Sequence, residues 1–370
     1  MRRRTPLHDM KLASLKDGSL DGQLVVVSDD LHTAAFADAV APTLQRALED
    51  WHFFGPQLQT LYEALNQGRV RRAFEFDARD CHAPLPRAYR VLAADCYADH
   101  ARVLAEAGEP SGGAEARAPA GRRRAATVPG TSDDLPGHDE TLSGDWLAGA
   151  RAEIVCDRPD ASLDCSAYLT AVCDAVPRGA SAARALAAVR LLGLACRYAY
   201  REGPAGQRDV KIGFSPVFVS PDEFGAAWLD GRLHRTLSMS INGRALGSPD
   251  CAAGLTVGAG TLLAAQARQR PLTPGTVYAM GPVAAIGRSH ALGSIAGRRA
   301  VETITAGAAT TPFLVPGDRV ALAFAPPERS MSDAVGADAR AARGEPDAAT
   351  ARQHVCGLIE HTIVEAESID

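Results

Sequence analysis

Residues 163–201, LDCSAYLTAVCDAVPRGASAARALAAVRLLGLACRYAYR, constrain the fold more than any other stretch of this chain. Tyr168 to Val172 read as a strand, and Pro177 and Gly179 as the turn that ends it. Ser181 is a good helix N-cap, and Ala185, Val189, Leu192 and Cys196 follow it at helical spacing. The pattern therefore predicts a strand, a turn and a helix running from Ser181 to about Cys196.

The chain has 370 residues, enough for one large domain or two. With 46% hydrophobic and 22% charged residues its composition is that of an ordinary globular protein. A formal net charge of −5 and a pI near 6.1 argue against a general nucleic-acid binder. No apolar run approaches the ~20 residues that a membrane helix needs. The start, MRRRTPLHDMKLASL, is basic but has no apolar core, so it does not read as an export signal. The eight cysteines include no C-x-x-C pair and sit mostly in apolar contexts. That usage points to reduced thiols in a cytoplasmic protein rather than a disulfide framework or a zinc site.

Met10 opens a strand pattern, which leaves residues 1–9 as an upstream extension. KLASL and QLVVV read as strands joined through Asp17-Gly18. Two short helices follow, with apolar faces Leu44, Ala47, Leu48, Trp51 after Pro42 and Leu58, Leu61, Tyr62, Leu65 after Pro56. From Glu106 to about Leu142 the composition turns to Gly, Ala, Pro, Arg and Asp and includes GRRRAA at 121–126, which reads as a solvated insertion. FSPVFVSPDEFG (214–225) is a strand entering a loop, and TLSMSINGRAL (236–246) is a hairpin turning at Asn242-Gly243. Leu262 to Gln269 suits a short helix, and DRVALAFA (318–325) a closing strand. Gly258 and Gly260 precede no strand-to-helix crossover, so a dinucleotide fingerprint is not expected there. The tail ends in AATARQHVCGLIEHTIVEAE, which reads as a partly exposed amphipathic helix. His354 and His361 on it are seven residues apart, too far for direct co-chelation on one straight helix. Many strands, few helices and frequent Gly/Pro turns favour an α+β, mostly β architecture over a doubly wound sheet.

Several of these phrases resemble the fumarylacetoacetate hydrolase (FAH) family. Asp164, Val176-Pro177, Gly179, Ser181 and Arg190-Leu191-Leu192 fall without a gap on its core motif D-F-E-A-E-V-A-V…D-V-P-x-G-x-S…R-L-L-x-L-x-N-D. The N-terminal phrases M-K-L-A-x-L-K-D-G, A-P-T-L-Q-x-A-L and A-P-L-P-R-A-Y resemble the small N-terminal domain of its bacterial two-domain type. The resemblance implies a small β-rich domain over residues 10–90 and a mixed β-roll over residues 91–325, interrupted by the insertion at 105–142. Residues 326–370 form a tail that departs from the family. It also implies a homodimer and a small keto-acid substrate, with no nucleic-acid or membrane partner.

The family hydrolyses a carbon–carbon bond next to a ketone, using a His-Glu pair to activate water and Mg or Ca to orient the substrate. By this resemblance VLAADCYADH (91–100) matches a D-G-x-x-Y-x-x-H strand and puts His100 at the base position. GPVAAIGRSHALGSIAGRRAVETI matches G-T-V-S-N-K-D-R-S-x-G-x-x-x-I-A-E-x-R-x-L-E-T-I and puts Glu302 at the acid of that pair. Arg201 takes the position of the oxyanion-holding Arg, and Lys211 can slide into the place of the family Lys. The metal positions depart from the family. Its two glutamates fall on Ser166 and Tyr168, its aspartates on Ala93 (with Asp95 nearby) and Arg197, and the glutamate of A-E-x-R on Gly297. A hydroxyl, a phenol and a guanidinium do not supply the several oxygens that a hard dication wants, so no metal ligand is assigned. A rival register that recruits Glu153 needs about fifteen inserted residues before Pro177 and is set aside. Two readings stay open. One is a hydrolase impaired by its metal site. The other is a non-catalytic scaffold or carboxylate binder in which Arg197 and Arg201 hold the anion directly.

Overall fold

Two long strands, Leu163–Cys173 and Val189–Tyr200, form the spine of the structure, and both of their faces are covered. The computed structural model describes residues 9–109, 139–142, 144, 147–202, 209–285, 291–325 and 355–366. The basic start, the GRRRAA stretch, Arg288, Ser289 and His354 lie outside the described residues.

In chain order the N-terminal part comprises β1 (Lys11–Leu15), β2 (Gln23–Val27), β3 (Thr33–Phe36), α1 (Leu44–Glu49), α2 (Trp51–Asn66) and β4 (Phe74–Glu75). Next come β5 (Val91–Asp95), α3 (Ala98–Glu106), β6 (Asp139–Leu142), β7 (Leu147–Ala148), β8 (Glu153–Cys156), β9 (Leu163–Cys173), α4 (Ala182–Leu186) and β10 (Val189–Tyr200). They are followed by β11 (Asp209–Phe214), β12 (Phe218–Val219), β13 (Trp228–Leu229), β14 (Arg232–Leu233), β15 (Leu237–Ile241), β16 (Arg244–Gly247) and α5 (Ala259–Gln266). The chain closes with β17 (Thr276–Gly281), β18 (Ala284–Ala285), β19 (Ala291–Leu292), α6 (Ile295–Ala306), β20 (Arg319–Phe324) and β21 (Ile359–Glu365).

One large sheet runs β4-β3-β2-β1-β12-β10-β9-β17-β5-β6, with β11 on the far half of β10 and β7 beyond it. The N-terminal strands are joined to the rest through Lys11↔Val219 and Leu12↔Phe218. A second sheet runs β16-β15-β20-β21-β8. The mostly β, α+β architecture expected from the turn pattern is the one observed.

Alternate residues of β9 and β10 feed two different apolar cores. Cys165, Ala167, Leu169, Leu192, Leu194, Cys196 and Tyr198 belong to one, whereas Tyr168, Val172, Leu191 and Ala195 belong to the other. This double burial corrects the expected helix. Only Ala182–Leu186 is helical, capped by Ser181 Oγ on the Arg184 N–H at 3.3 Å. Val189, Leu192 and Cys196 lie on strand β10. A strand buried on both sides is apolar along its covered stretch, here Leu191 to Cys196, so that stretch carries no alternation to set against a helical count.

The other elements mostly follow the sequence. Thr43 caps α1, and Leu58, Tyr62 and Leu65 bury one face of α2. That helix starts at Trp51, so Pro56 lies inside it and does not open it. Asn242 and Gly243 turn the β15–β16 hairpin with φ of 51° and 75°, the left-handed pair that an Asn-Gly turn supplies. The tail is a second correction. Residues 359–365 form β21, which pairs with β20 and β8, and His361 is fully buried. Ile359, His361 and Ile363 are buried and Glu360 is exposed, a period of two. The set-aside Glu153 lies exposed on β8, in the second sheet.

Candidate functional site

Asp164, Ser166 and Tyr168 alternate along β9 and so share one face of the large sheet. Register with β10 sets Ala199 opposite Asp164, Arg197 opposite Ser166 and Ala195 opposite Tyr168. Arg197 therefore stands on the same face as the residues at the family's ligand positions. Asp95 closes the row from the other side, since Gly281 of β17 pairs with it.

Helices α3 and α6 pack together over the end of this face. His100, expected on a strand, lies in α3 because the chain turns at Cys96-Tyr97 and winds into a helix from Ala98. Its ring is 7% exposed, and its Nε2 lies 2.8 Å from Ser294 Oγ. The backbone of Ser294 bridges that of Ser166, which ties α6 to β9. Asp164 Oδ1 accepts the N–H groups of Ile295 and Ala296 at 3.1 and 3.2 Å, and its Oδ2 lies 3.9 Å from Arg201 Nη1. His100, Asp164 and Arg201 thus meet around the start of α6, and Ser166 reaches it through its backbone bridge.

The electrostatics follow from burial. Burial pushes the Asp164 carboxyl up to about 6, against the opposing pull of Arg201 and the α6 N–H groups. Burial lowers the His100 imidazole to about 3, and the charge of Arg201 adds to that. Arg201 therefore acts on both groups, at the place assigned to an anion holder.

Two assignments need correction. The pairing of His100 with Glu302 is not formed. Glu302 accepts from the backbone and hydroxyl groups of Thr310 and Thr311, and from Arg298 Nε at 3.1 Å. Burial alone would raise its pKa, but the Thr311 and Thr310 donors and Arg298 bring it down to about 2. The α6 residue facing His100 is Gly297, where a Cβ would lie 3.2 and 3.3 Å from His100 Cδ2 and Nε2. Glu302 lies five positions after Gly297, which turns the two about 140° apart around the helix. Lys211 is the second correction. It pairs with Tyr198 and so faces the opposite side of the sheet, where its charge acts on His361. A shift of one residue changes the face, and the sequence leaves that shift open.

The residues at the ligand positions do not fit a hard dication. Ser166 offers one hydroxyl and Arg197 opposite it a cation. Tyr168 is 2% exposed, and its ring lies against Gly281, where a Cβ would come within 2.4 Å of Cδ1. Among the described residues no three of His, Cys, Asp and Glu gather as a metal-binding group. Sequence reasoning missed Ser294 and Gly297 as neighbours of His100 and used Asp164 only as an anchor of register. Ser294 had a signal, as a serine directly before the periodic stretch IAGRRAVETI.

Comparison with known proteins bears on the fold. Residues 10–87 match the family model for the fumarylacetoacetase N-terminal domain 2. The whole fold is similar to that of maleylpyruvate hydrolase from Sphingobium sp. SYK-6, solved with manganese(II) and pyruvate. That match has 13% identity and a TM-score of 0.60, and covers 97% of this chain and 100% of that one. Residues 10–87 thus carry the fumarylacetoacetase N-terminal domain, and the whole chain shares the fold of that structure. Two other FAH folds align over their full length. Fumarylacetoacetate hydrolase from psychrophilic Exiguobacterium antarcticum matches 96% of this chain and 100% of its own at 14% identity and TM-score 0.54. 2-Hydroxyhepta-2,4-diene-1,7-dioate isomerase from Mycobacterium marinum matches 97% of this chain and 100% of its own at 11% identity and TM-score 0.53. None of the curated proteins matches this chain.

Proposed function

We propose that this chain, as an FAH-family member, binds a small keto acid or related carboxylate by guanidinium charge, with carbon–carbon bond hydrolysis impaired or lost. The observation that carries this reading is Arg197 directly across the ladder from Ser166, a cation at the centre of the ligand positions. Guanidinium forks bind carboxylates through charge-assisted hydrogen bonds that need no intervening metal. Arg201 brings a second positive charge to the same place, close enough to depress His100. Titration calorimetry with pyruvate in the presence of chelator tests the reading. Binding that persists with chelator and disappears in Arg197→Leu supports it, and micromolar affinity for Mg²⁺ or Ca²⁺ contradicts it.

A second reading is a hydrolase in the family manner, with His100 as base and Arg201 holding the oxyanion. The proximity of His100 and Arg201 favours it, because base and anion holder act best around one reacting centre. An acylpyruvate hydrolysis assay with and without chelator separates the two. Turnover lost with chelator belongs to the hydrolase, and its absence under both conditions to the binder. Either reading carries a cytoplasmic homodimer, checked for oligomeric state by light scattering. Among the described residues no helix is long and apolar enough to cross a membrane.

A further inference from the structure

Ser294 is the N-cap of α6, and its Oγ accepts the N–H of Gly297 at 3.0 Å. The same oxygen lies 2.8 Å from His100 Nε2, and Ser294 is fully buried. The hydroxyl oxygen that accepts the Gly297 N–H keeps one proton of its own, which it can donate to this imidazole nitrogen. Nε2 then carries no proton, and a neutral ring must carry it on Nδ1.

This contact exists because residue 297 has no side chain. A Cβ at Gly297 would lie 2.8 Å from Ser294 Oγ, closer than such contacts occur, and 3.2 Å from His100 Cδ2. Position 297 is also the third residue of the helix, where a capping box would place Glu or Gln. Glycine here removes both the crowding and any carboxylate that could stabilise an imidazolium.

We infer that Ser294 and Gly297 act together as positioning residues that lock His100 in its Nδ1–H tautomer, making it a hydrogen-bond donor to a bound small acid and not the base that activates water. The identity of the acid rests on the carboxylate reading above; the lock itself does not. The environment agrees, since burial and Arg201 both disfavour a charged His100. A ring that resists protonation is a poor proton acceptor near neutral pH but keeps its N–H donor.

Long-range ¹H–¹⁵N spectra of uniformly labelled full-length protein test the lock, with the His100 signals assigned by their loss in His100→Gln. The expected result is an unprotonated Nε2 and a protonated Nδ1 that persist down to pH 5. In Ser294→Ala and Gly297→Ala the two nitrogens move toward a tautomer mixture, and Ser294→Thr restores the wild-type pattern. Alanine is the better helix former, so a lost pattern in Gly297→Ala is not explained by a weakened α6. A proton on Nε2 in the wild type overturns the inference, and so does a pattern unchanged in both alanine variants. Added pyruvate is expected to move Nδ1 more than Nε2. The expected tautomer with no response to pyruvate supports the lock and overturns the carboxylate reading instead.

Discussion

Arg197 lies directly opposite Ser166 in the β9–β10 ladder, on the face that also carries Asp164 and Tyr168. A strand partner cannot be displaced without breaking the ladder, so the cation is fixed beside Ser166. Arg197→Leu is expected to weaken pyruvate binding at least about tenfold, the scale of losing charge-assisted hydrogen bonds of about 1.5–3 kcal/mol. Arg197→Lys is expected to recover only part of it, because an ammonium lacks the planar fork. Calorimetry in chelator checks both variants, and wild-type affinity in Arg197→Leu would remove Arg197 from the site.

Glu302 fastens the Thr310–Thr311 segment to α6 and does not touch His100. Glu302→Ala is expected to lower stability by about 2 kcal/mol, the scale of a few hydrogen bonds to a partly exposed carboxylate. The His100 nitrogen signals are expected to stay in place. Urea unfolding and the same NMR spectra check the two halves, and a moved His100 signal with unchanged stability would reinstate Glu302 as its partner.

Stability is expected to fall as pH drops below about 6.5. His100 and His361 are held neutral, at about 3 and about 4, first by burial. Their contribution is present above the ordinary histidine value of 6.5 and is lost as pH falls toward those lowered values. Asp164 runs the other way, because its pKa is raised to about 6 from 3.8. Its contribution is complete below 3.8 and lost as pH rises through 6. From about pH 6 to pH 4 the three groups together take up close to one proton on unfolding, worth about 1.4 kcal/mol per pH unit. Replacing His361 with Gln removes one of the two histidines and is expected to flatten this slope. Urea midpoints at pH 7.5, 6 and 5 check it.

Lys11 is 2% exposed and binds Glu223 at 2.5 Å and Asp29 at 3.0 Å, while Tyr62 donates to Glu223 at 2.8 Å. This network ties β1 and α2 to the segment after β12. Removing one member leaves a buried charge unpaired, so Lys11→Met is expected to cost about 3–5 kcal/mol. The double variant Lys11→Met/Glu223→Leu is expected to cost less than the single one. Denaturant unfolding of the cycle checks the order, and additive costs would mean that the pair is uncoupled.

Local chemistry was readable where a residue's neighbours in sequence are also its neighbours in space. The Asn242-Gly243 turn, the Thr43 and Ser181 caps, the face of α2 and the strands flanking Asp17-Gly18 all depend on contacts within a few positions. The motif register that set Ser166, Tyr168 and Arg197 at one place was readable for a similar reason, since β9, the turn and β10 are consecutive.

The amino-acid order by itself determined the turns and caps, the resemblance to the FAH family, and the presence of Ser166, Tyr168 and Arg197 in place of carboxylates that the resemblance implies. Only the tertiary structure decided that β10 is a strand, because burial on both faces erases the alternation that marks one. It also decided that Gly297 and not Glu302 faces His100, and that Lys211 faces away from Arg197. Those outcomes depend on the rotation of a helix and on a one-residue register between strands. Both are set by packing against partners far away in the chain.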